Sequence, residues 1–214
     1  MEQNVREEDL ELSDDEELIT AQKVLENLEN AWLNEKFAPE LLPQQTEMLE
    51  LMLGQVAHME ENIKELDKND FRSIAHRMEL ERIRYIIASY LRCRLEKIET
   101  FTKLILQEEE SRADEEKRMS VEETKFATEY HENMENYFKT VALQYMPTLQ
   151  RSDADQRIVR PNMMSHVFVK AKETVPAVVV GVEDEEVDLV AGSQHIIPYQ
   201  LISDLVLKGS VQLI

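Results

Sequence analysis

Residues 78–99 read MELERIRYIIASYLRCRLEKIE, and this stretch decides the fold of the chain. At about 100° per residue, a helix here gathers its apolar side chains on one face. That face consists of Leu80, Ile83, Ile87, Leu91, Leu95 and Ile98, with Tyr90 on its margin. Arg84 and Arg94 project into the same sector, where a guanidinium without a partner is strongly destabilising. We therefore expect both arginines to meet carboxylates of another helix, in this chain or in a different one.

The same periodicity predicts two helices before this stretch. The first runs from Thr20 to about Lys36, with Thr20 as N-cap, and the second covers roughly 44–67. Pro39 and Pro43 separate them. The break is unusually apolar for a loop, so we expect it to be buried; it contains Phe37, Leu41 and Leu42. The second helix carries a heptad-like seam suited to a partner helix, formed by Met48, Met52, Val56, Met59, Ile63 and Leu66.

The helix that contains residues 78–99 is the longest, covering about 70–109. About 40 residues at 1.5 Å each give a rod near 60 Å, which exceeds the diameter of a small domain. We expect part of this rod to meet another polypeptide. A fourth helix begins at Ser120-Val121-Glu122-Glu123, a capping-box sequence, and stops at Pro147.

The chain changes character after Pro147. Residues 147–163 form a polar linker, and beyond it an alternating stretch that starts at Val167 predicts a half-buried strand. Short strands are predicted at 177–182 and 187–190, and 193–198 leads into a short helix that ends at Lys208-Gly209. We expect the apolar end, Val211–Ile214, to be paired or buried. About 50 residues make a marginal core, so this part should dock on the helices or on a neighbouring subunit.

The prediction is thus a mainly α protein in four parts. An acidic leader, 1–19, precedes a helical A domain of four to five long helices, 20–146. A linker, 147–163, joins it to a small β-rich B domain, 164–214.

Charge excludes some functions. The chain has 44 acidic and 24 basic residues, a formal net charge of −20 that repels phosphate backbones, so we expect any contact with DNA to be indirect.

Cys93 is the single cysteine, which excludes disulfides and zinc ribbons and favours a packed apolar role. The first residues, MEQNVREEDL, are acidic and lack the apolar core of a signal peptide, and no apolar run approaches the ~20 residues of a membrane span. We expect a soluble intracellular protein without membrane contact.

The sequence predicts no active site. None of the five histidines follows a glutamate three positions earlier, and no His-Glu-x-x-His is present, so no metal site is expected. Gly192-Ser193-Gln194-His195 lacks the glycine spacing of a nucleophile elbow, and four glycines give no phosphate-binding loop. We expect a protein that is not an enzyme and needs no cofactor.

Two features have alternative interpretations. Ser13 precedes a run of four acids, which is the pattern of a site for an acid-directed kinase or simply of a solubilising leader. The arginines of residues 77–94 alternate with glutamates, which indicates ion pairs within and between helices; anchoring of a subunit interface by Arg84 and Arg94 is the sharper hypothesis.

Five segments closely resemble the Sld-five subunit family of the GINS complex. They are Ala31–Leu42 (AWLNEKFAPELL), His58–Ile63 (HMEENI), Met78–Glu99, Gly192–Ile202 (GSQHIIPYQLI) and Val211–Ile214 (VQLI). With the order of elements, the resemblance covers about residues 20–214; the leader and the linker match poorly.

This resemblance implies a nuclear, non-enzymatic scaffold. It implies a hetero-tetramer with the three partner-of-Sld-five subunits, which joins Cdc45 and the MCM hexamer in the replicative DNA helicase of initiation and elongation. Contacts with a replisome adaptor and with polymerase machinery are implied as well. ATP hydrolysis would belong to the MCM ring.

We expect subunit contacts at eight residues: Trp32, Phe37, Leu41, Arg84, Tyr90, Arg94, Leu213 and Ile214. The alternative function is a helical adaptor outside replication that uses the seam at 48–66 as a coiled coil.

Overall fold

The computed structural model describes residues 21–65, 70–113, 116–145, 158–179 and 186–214. Four long helices form the first part of the described chain: α1, Ala21–Phe37; α2, Thr46–Glu65; α3, Phe71–Ser111; and α4, Val121–Val141. A short 3-10 turn, Leu143–Tyr145, follows α4. The mainly α fold with a small C-terminal sheet region is therefore confirmed.

Helices α1, α2 and α3 share one core. Leu28, Met52 and Ile83 are among its most buried members. The predicted seam of α2 packs into this core, where Met52 and Val56 are buried and Met48, Met59 and Ile63 are half-buried. These five seam residues pack with residues of α1 and α3 of the same chain, and Leu66 lies outside the described residues.

The third helix is as long as predicted but contains a kink. Phe101 has φ −117° and ψ 23°, outside the helical range. Thr100 donates to the Glu96 carbonyl oxygen at 2.7 Å, and Thr102 donates to that of Ile98 at 2.6 Å. Such back-bonding by threonine bends helices, so the two threonines account for the kink.

The C-terminal part contains five strands and one helix. They are β1, His166–Ala171; β2, Val175–Val179; β3, Glu186–Leu189; β4, Gln194–Pro198; α5, Tyr199–Leu207; and β5, Val211–Leu213. Strand β1 lies between β4 and β5, antiparallel to both, and β2 pairs with β3 in a separate hairpin.

The prediction missed β4. Residues 193–198 were expected to lead into the helix, but five of them pair with β1, with Phe168 opposite Ile196. The segment is short and ends in Pro198, which lacks an amide hydrogen, so its sequence pattern resembles a loop. The predicted end at Lys208-Gly209 is confirmed, because Gly209 has φ 79° just after α5.

The B domain docks on the helices of the same chain. Ala38 and Leu42 belong to the buried cluster that contains Val169, Tyr199 and Leu213. Leu41 instead packs with Ile98 and Ile105 of α3 and with Ala127 of α4. The segment 38–43 therefore lies between two cores. The expectation of burial is confirmed for Leu41 and Leu42 but is wrong for Phe37, which is 39% exposed.

The apolar end of the chain is also buried, as predicted. Leu213 is fully buried, and its amide donates to Asn34 Oδ1 of α1 at 2.9 Å. The amide of Ile214 donates to the Phe168 carbonyl oxygen at 3.1 Å.

Candidate functional site: a buried charge network and the exposed faces around it

Arg94 is the centre of a buried charge network. Its side chain is 1% exposed, at a position of α3 that faces both α1 and α4. Nε donates to Glu123 Oε1 at 2.7 Å, and Nη1 donates to Glu35 Oε2 at 3.1 Å. The remaining donors reach the carbonyl oxygens of Leu42 at 2.8 Å and Arg118 at 2.7 Å. The guanidinium is thus satisfied from three directions within this chain.

Lys97 lies one turn further along α3 and completes the network. Its Nζ donates to Glu35 Oε1 at 2.6 Å and to the Glu40 carbonyl oxygen at 2.7 Å. Burial lowers the pKa of Lys97, while the carboxylate of Glu35 acts in the opposite direction. For Arg94, burial alone would lower the pKa, but the bond to Glu123 and the nearby charges raise it above its ordinary value. Two cations therefore face the two carboxylates Glu35 and Glu123, which leaves this part of the core neutral.

Glu123 is held in place by the start of its own helix. The Ser120 hydroxyl accepts from the Glu123 amide at 3.1 Å, and the Glu123 side chain accepts from the Ser120 amide at 3.0 Å. This is the reciprocal capping box that the sequence predicts. The same carboxylate binds Arg94, so the helix cap and the ion pair share one side chain.

A second set of contacts joins the network to the B domain. The Tyr199 hydroxyl donates to Glu40 Oε1 at 2.9 Å, and Arg118 Nη1 donates to Glu40 Oε2 at 2.6 Å. Arg118 also donates to the Leu41 carbonyl oxygen at 2.8 Å. Burial first, and then the charge of Glu40, raise the pKa of Tyr199 well above its ordinary range. Glu40 therefore joins the two domains through a polar contact, in addition to the hydrogen bond between Asn34 and Leu213.

Arg84 lies elsewhere and is exposed. It pairs with Glu60 of α2 and, at 2.6 Å, with Glu81 of α3, and 47% of its side chain is exposed. The expectation that Arg84 meets a carboxylate of another helix is confirmed by Glu60, but its side chain is exposed in the single chain and not buried like that of Arg94. Ile83 and Ile87 occupy the centre of the contact with the other helices, whereas Arg84 is at its edge.

Trp32 and Phe37 form an aromatic surface with α3. Trp32 Nε1 donates to Ser89 Oγ at 2.9 Å, and its ring meets that of Tyr85 edge to face, with the centroids 6.1 Å apart. Lys36 Nζ lies 5.5 Å from the Trp32 centroid and 5.2 Å from that of Phe37. Tyr85 is 61% exposed and Phe37 39%, so a partner can reach this surface.

The other predicted contact residues lie inside the chain. Leu41, Tyr90, Arg94 and Leu213 are each less than 5% exposed, and Ile214 is half-buried. The Tyr90 hydroxyl makes no hydrogen bond to any residue that the structure describes, and burial raises its pKa to about 12. Ser13 lies outside the described residues.

Sequence reasoning missed the acidic half of the network. Glu35 and Glu40 look like surface glutamates among many others, and the capping-box pattern marks Glu123 only as a helix cap, not as a partner of Arg94. Two signals in the sequence pointed to these glutamates. A buried Arg94 needs a carboxylate partner, and Glu40 lies next to the unusually apolar segment between the first two helices.

Two other kinds of site, a metal centre and a membrane span, are not found among the described residues. No group of three or more metal-binding side chains occurs within them. None of their helices is both long and apolar enough to cross a bilayer. Ser193 lies directly before β4, and its Oγ is 2.8 Å from Nε2 of His195, which is within β4. Neither side chain forms an ion pair or a hydrogen bond with a described acidic side chain.

Comparison with known proteins identifies the family to which this chain is related. The family model for the GINS complex protein helical bundle domain matches residues 40–142, and the model for the C-terminus of the DNA replication complex GINS protein SLD5 matches 161–214. The rat protein named DNA replication complex GINS protein SLD5 is 44% identical over 219 residues, covering 99% of this chain and 98% of the rat protein. The human protein of that name is 43% identical over 207 residues, covering 94% and 93%. The Xenopus laevis protein is 44% identical over 220 residues, covering 97% and 100%. With both parts of the chain matched in this order, the protein belongs to the SLD5 family of DNA replication complex GINS proteins.

Proposed function

We propose that this chain is a non-catalytic structural subunit of a GINS hetero-tetramer in the nucleus. Together with Cdc45 and the MCM hexamer, that tetramer would form the replicative helicase of initiation and elongation. Support comes from the family relationship over nearly the whole chain and from the arrangement of its charged residues. The buried charged groups are used to hold helices and domains together, as a scaffold requires.

The single observation that carries the scaffold role is the segment 38–43. Its apolar side chains enter the cores of both domains, and its polar groups meet Arg94, Lys97, Arg118 and Tyr199. Such a segment fixes the B domain relative to the A domain. A fixed arrangement of two domains presents several surfaces to partners at once, with little ordering cost on binding.

The predicted contacts that solvent reaches, half-buried Trp32 and exposed Phe37 and Arg84, remain our proposed subunit contacts. Trp32 and Phe37 contribute to an aromatic surface, and Arg84 presents its guanidinium beside Glu60. Tryptophan, tyrosine and arginine are the residue types that most often dominate binding energies at interfaces. Leu41, Tyr90, Arg94, Leu213 and Ile214 would support assembly from inside, by fixing the surfaces that partners meet.

Co-expression with the other three GINS subunits tests this proposal. We expect a single species whose mass is that of one copy of each subunit. The chain alone should be poorly soluble, because large apolar side chains such as Phe71, Met78 and Tyr137 are exposed. A stable monomer that ignores the other subunits would contradict the proposal.

A second experiment addresses the helicase. When the tagged chain is purified from S-phase extracts, MCM and Cdc45 should co-purify. Recovery of the chain with neither of them, while the other GINS subunits are present, would restrict the function to the tetramer. Recovery with unrelated partners alone would support an adaptor outside replication.

A further inference from the structure

A cleft separates the first helix from the end of the B domain. It has a volume of about 280 Å³, and its walls come from α1, from the segment around Pro43 and from the end of α5. On the α1 side, Lys23, Asn27, Asn30 and Asn34 follow one another at spacings of four, three and four residues, so they share one face of the helix. A row of polar side chains therefore runs along one wall of the cleft.

Asn34 shows what this row can bind. Its Oδ1 accepts from the amide of Leu213 in β5 at 2.9 Å, so the wall already holds one extended main chain. The side chains of Asn27 and Asn30 make no hydrogen bond to a described residue. Each amide offers both a donor and an acceptor. A second extended segment can therefore pair with these two asparagines as β5 pairs with Asn34.

Lys172 gives the cleft its charge. Of the described residues that line it, only Lys172 and Glu35 are charged. Both oxygens of Glu35 are taken, one by Arg94 and the other by Lys97. No described carboxylate pairs with Lys172, and partial desolvation lowers its pKa. The cleft therefore favours a ligand that carries carboxylates.

The groove on the other side of α1 has the reverse charge. It has a volume of about 490 Å³, and its charged lining consists of Glu26, Glu29, Glu79 and Arg82. Arg82 pairs with both Glu29 and Glu79, so negative charge is in excess. An acidic segment next to α1 is thus repelled by this groove and attracted to the cleft.

The leader, residues 1–19, is such a segment. It contains nine acidic residues and one arginine, and it ends next to α1. Fully extended it spans about 60 Å, whereas Asn30 lies only about 14 Å along the helix from Ala21. We propose that the acidic leader turns back and docks in this cleft of its own chain, with its carboxylates at Lys172 and its main chain against Asn27 and Asn30.

The apolar residues of the leader fit the same cleft. Leu10 and Leu12 alternate with acidic residues, so in an extended segment they share one side. Within the cleft, Met48 is half-buried and Leu207 is 45% exposed, which gives these leucines an apolar contact. A leader held in this way is withheld from other proteins until it is released. This inference concerns the single chain and does not depend on the proposed function.

Carbodiimide cross-linking of the full-length chain, at low protein concentration, tests the contact. The reagent joins a carboxylate to an amine in contact with it, and mass spectrometry of the digest identifies the pair. We expect Lys172 to be joined to a carboxylate of the leader. Lys170, which is exposed on β1 outside the cleft, should not be joined to it. A Lys172 that is joined only to residues outside the leader, or to none, would overturn the proposal.

Mixing chains labelled with ¹⁵N and unlabelled chains distinguishes docking within one chain from docking between two copies. Both halves of the cross-link should carry the same label. Mixed pairs at the frequency of random exchange would mean that a second copy supplies the leader, which would overturn docking within the chain.

Cleavage by a glutamate-specific protease measures the docked fraction. The rate of cleavage within the leader follows the population in which it is undocked. Lys172→Glu should raise this rate about tenfold, because it places a like charge beside the leader. The matched control is Lys170→Glu, which makes the same change of charge and should be cleaved like the wild type. Circular dichroism of both variants should be unchanged, since both positions are exposed. Equal cleavage rates for the two variants would overturn the proposal.

The salt dependence separates charge from hydrogen bonding. High salt should raise the cleavage rate of the wild type towards that of Lys172→Glu, because salt screens exposed charges. Asn27→Ala/Asn30→Ala should raise the rate and keep the salt dependence, since it removes hydrogen-bonding groups but no charge. A wild-type rate that is the same at low and high salt would contradict the role of Lys172.

Discussion

At the scale of single residues, Arg94 is the largest fully buried side chain among those that the structure describes. A guanidinium that is almost fully buried is tolerated only because two carboxylates and two carbonyl oxygens receive its donors. The sequence predicted this need correctly from the position of Arg94 on an apolar helix face. It could not indicate which of the 44 acidic residues would pair with Arg94, because the partners Glu35 and Glu123 lie 59 and 29 positions away.

Arg94→Met should destabilise the fold. The substitution leaves Glu35 and Glu123 in the core with one partner fewer, and breaking a buried pair in this way costs about 3–5 kcal/mol. Urea unfolding followed by circular dichroism at low protein concentration measures the loss. Arg84→Ala is the control, and its unfolding midpoint should stay close to that of the wild type, because the Arg84 pairs are exposed. Equal midpoints for both variants would contradict the assigned network.

Two buried tyrosines should lose their phenol protons at a higher pH than an exposed tyrosine does. The pKa of Tyr90 is raised from 10 to about 12 by burial, and that of Tyr199 is raised as well. Between pH 10 and 12 the unfolded chain loses the Tyr90 proton while the folded chain keeps it. The stabilisation from this group is therefore complete below pH 10 and is lost as the pH rises towards 12.

Absorbance titration at alkaline pH measures this effect. The chain has six tyrosines, and the late phase should lose one phenol in Tyr90→Phe and another in Tyr199→Phe. Tyr90→Phe should also leave the neutral-pH stability unchanged or slightly higher, since it removes an unpaired buried hydroxyl. A late phase that is unaffected by either substitution would contradict the burial of these side chains.

At the scale of elements, the start of α4 links secondary structure to tertiary structure. Ser120→Ala should cost about 1 kcal/mol for the lost cap. Ser120→Ala removes the hydroxyl that accepts from the Glu123 amide and so loosens the residue whose carboxylate binds Arg94. The effects of Ser120→Ala and Arg94→Met should therefore not add. A double-mutant cycle in urea measures the coupling. Strict additivity would mean that the cap and the ion pair are independent.

The elements differ in how well the sequence predicts them. The three- and four-residue spacing of apolar side chains predicted the four long helices, because each helix buries an apolar stripe against its neighbours. The edge strand β4 was missed, since its five residues gain strand conformation only from pairing with β1. The kink at Phe101 was also missed, because threonines bend a helix only when their hydroxyls turn back to the main chain.

At the scale of the whole molecule, the two domains share buried residues. Leu42 lies between α1 and α2, and its side chain, 7% exposed, belongs to the B-domain core. Leu42→Ala should therefore destabilise the chain by about 2–5 kcal/mol. Thermal unfolding should remain a single transition at a lower temperature, because helices and sheet depend on the same segment. Two separate transitions in the wild type would contradict this.

The sequence alone predicted that the B domain needs a surface to dock on, from its size and its lack of a staple. It left open whether that surface belongs to this chain or to another. The answer depends on Asn34, Glu40 and Leu42, whose contacts with Leu213 and Tyr199 span more than 150 positions along the chain. Contacts over such separations leave no local pattern.

The neighbouring side chains of Leu41 and Leu42 enter different cores, and this limits how the segment can change in length. A glycine inserted between them would displace at least one of the two leucines from its core. A deletion would shift the carbonyl oxygens that Arg94, Lys97 and Arg118 use. The interval from Pro39 to Pro43 should therefore tolerate conservative substitutions far better than any insertion or deletion.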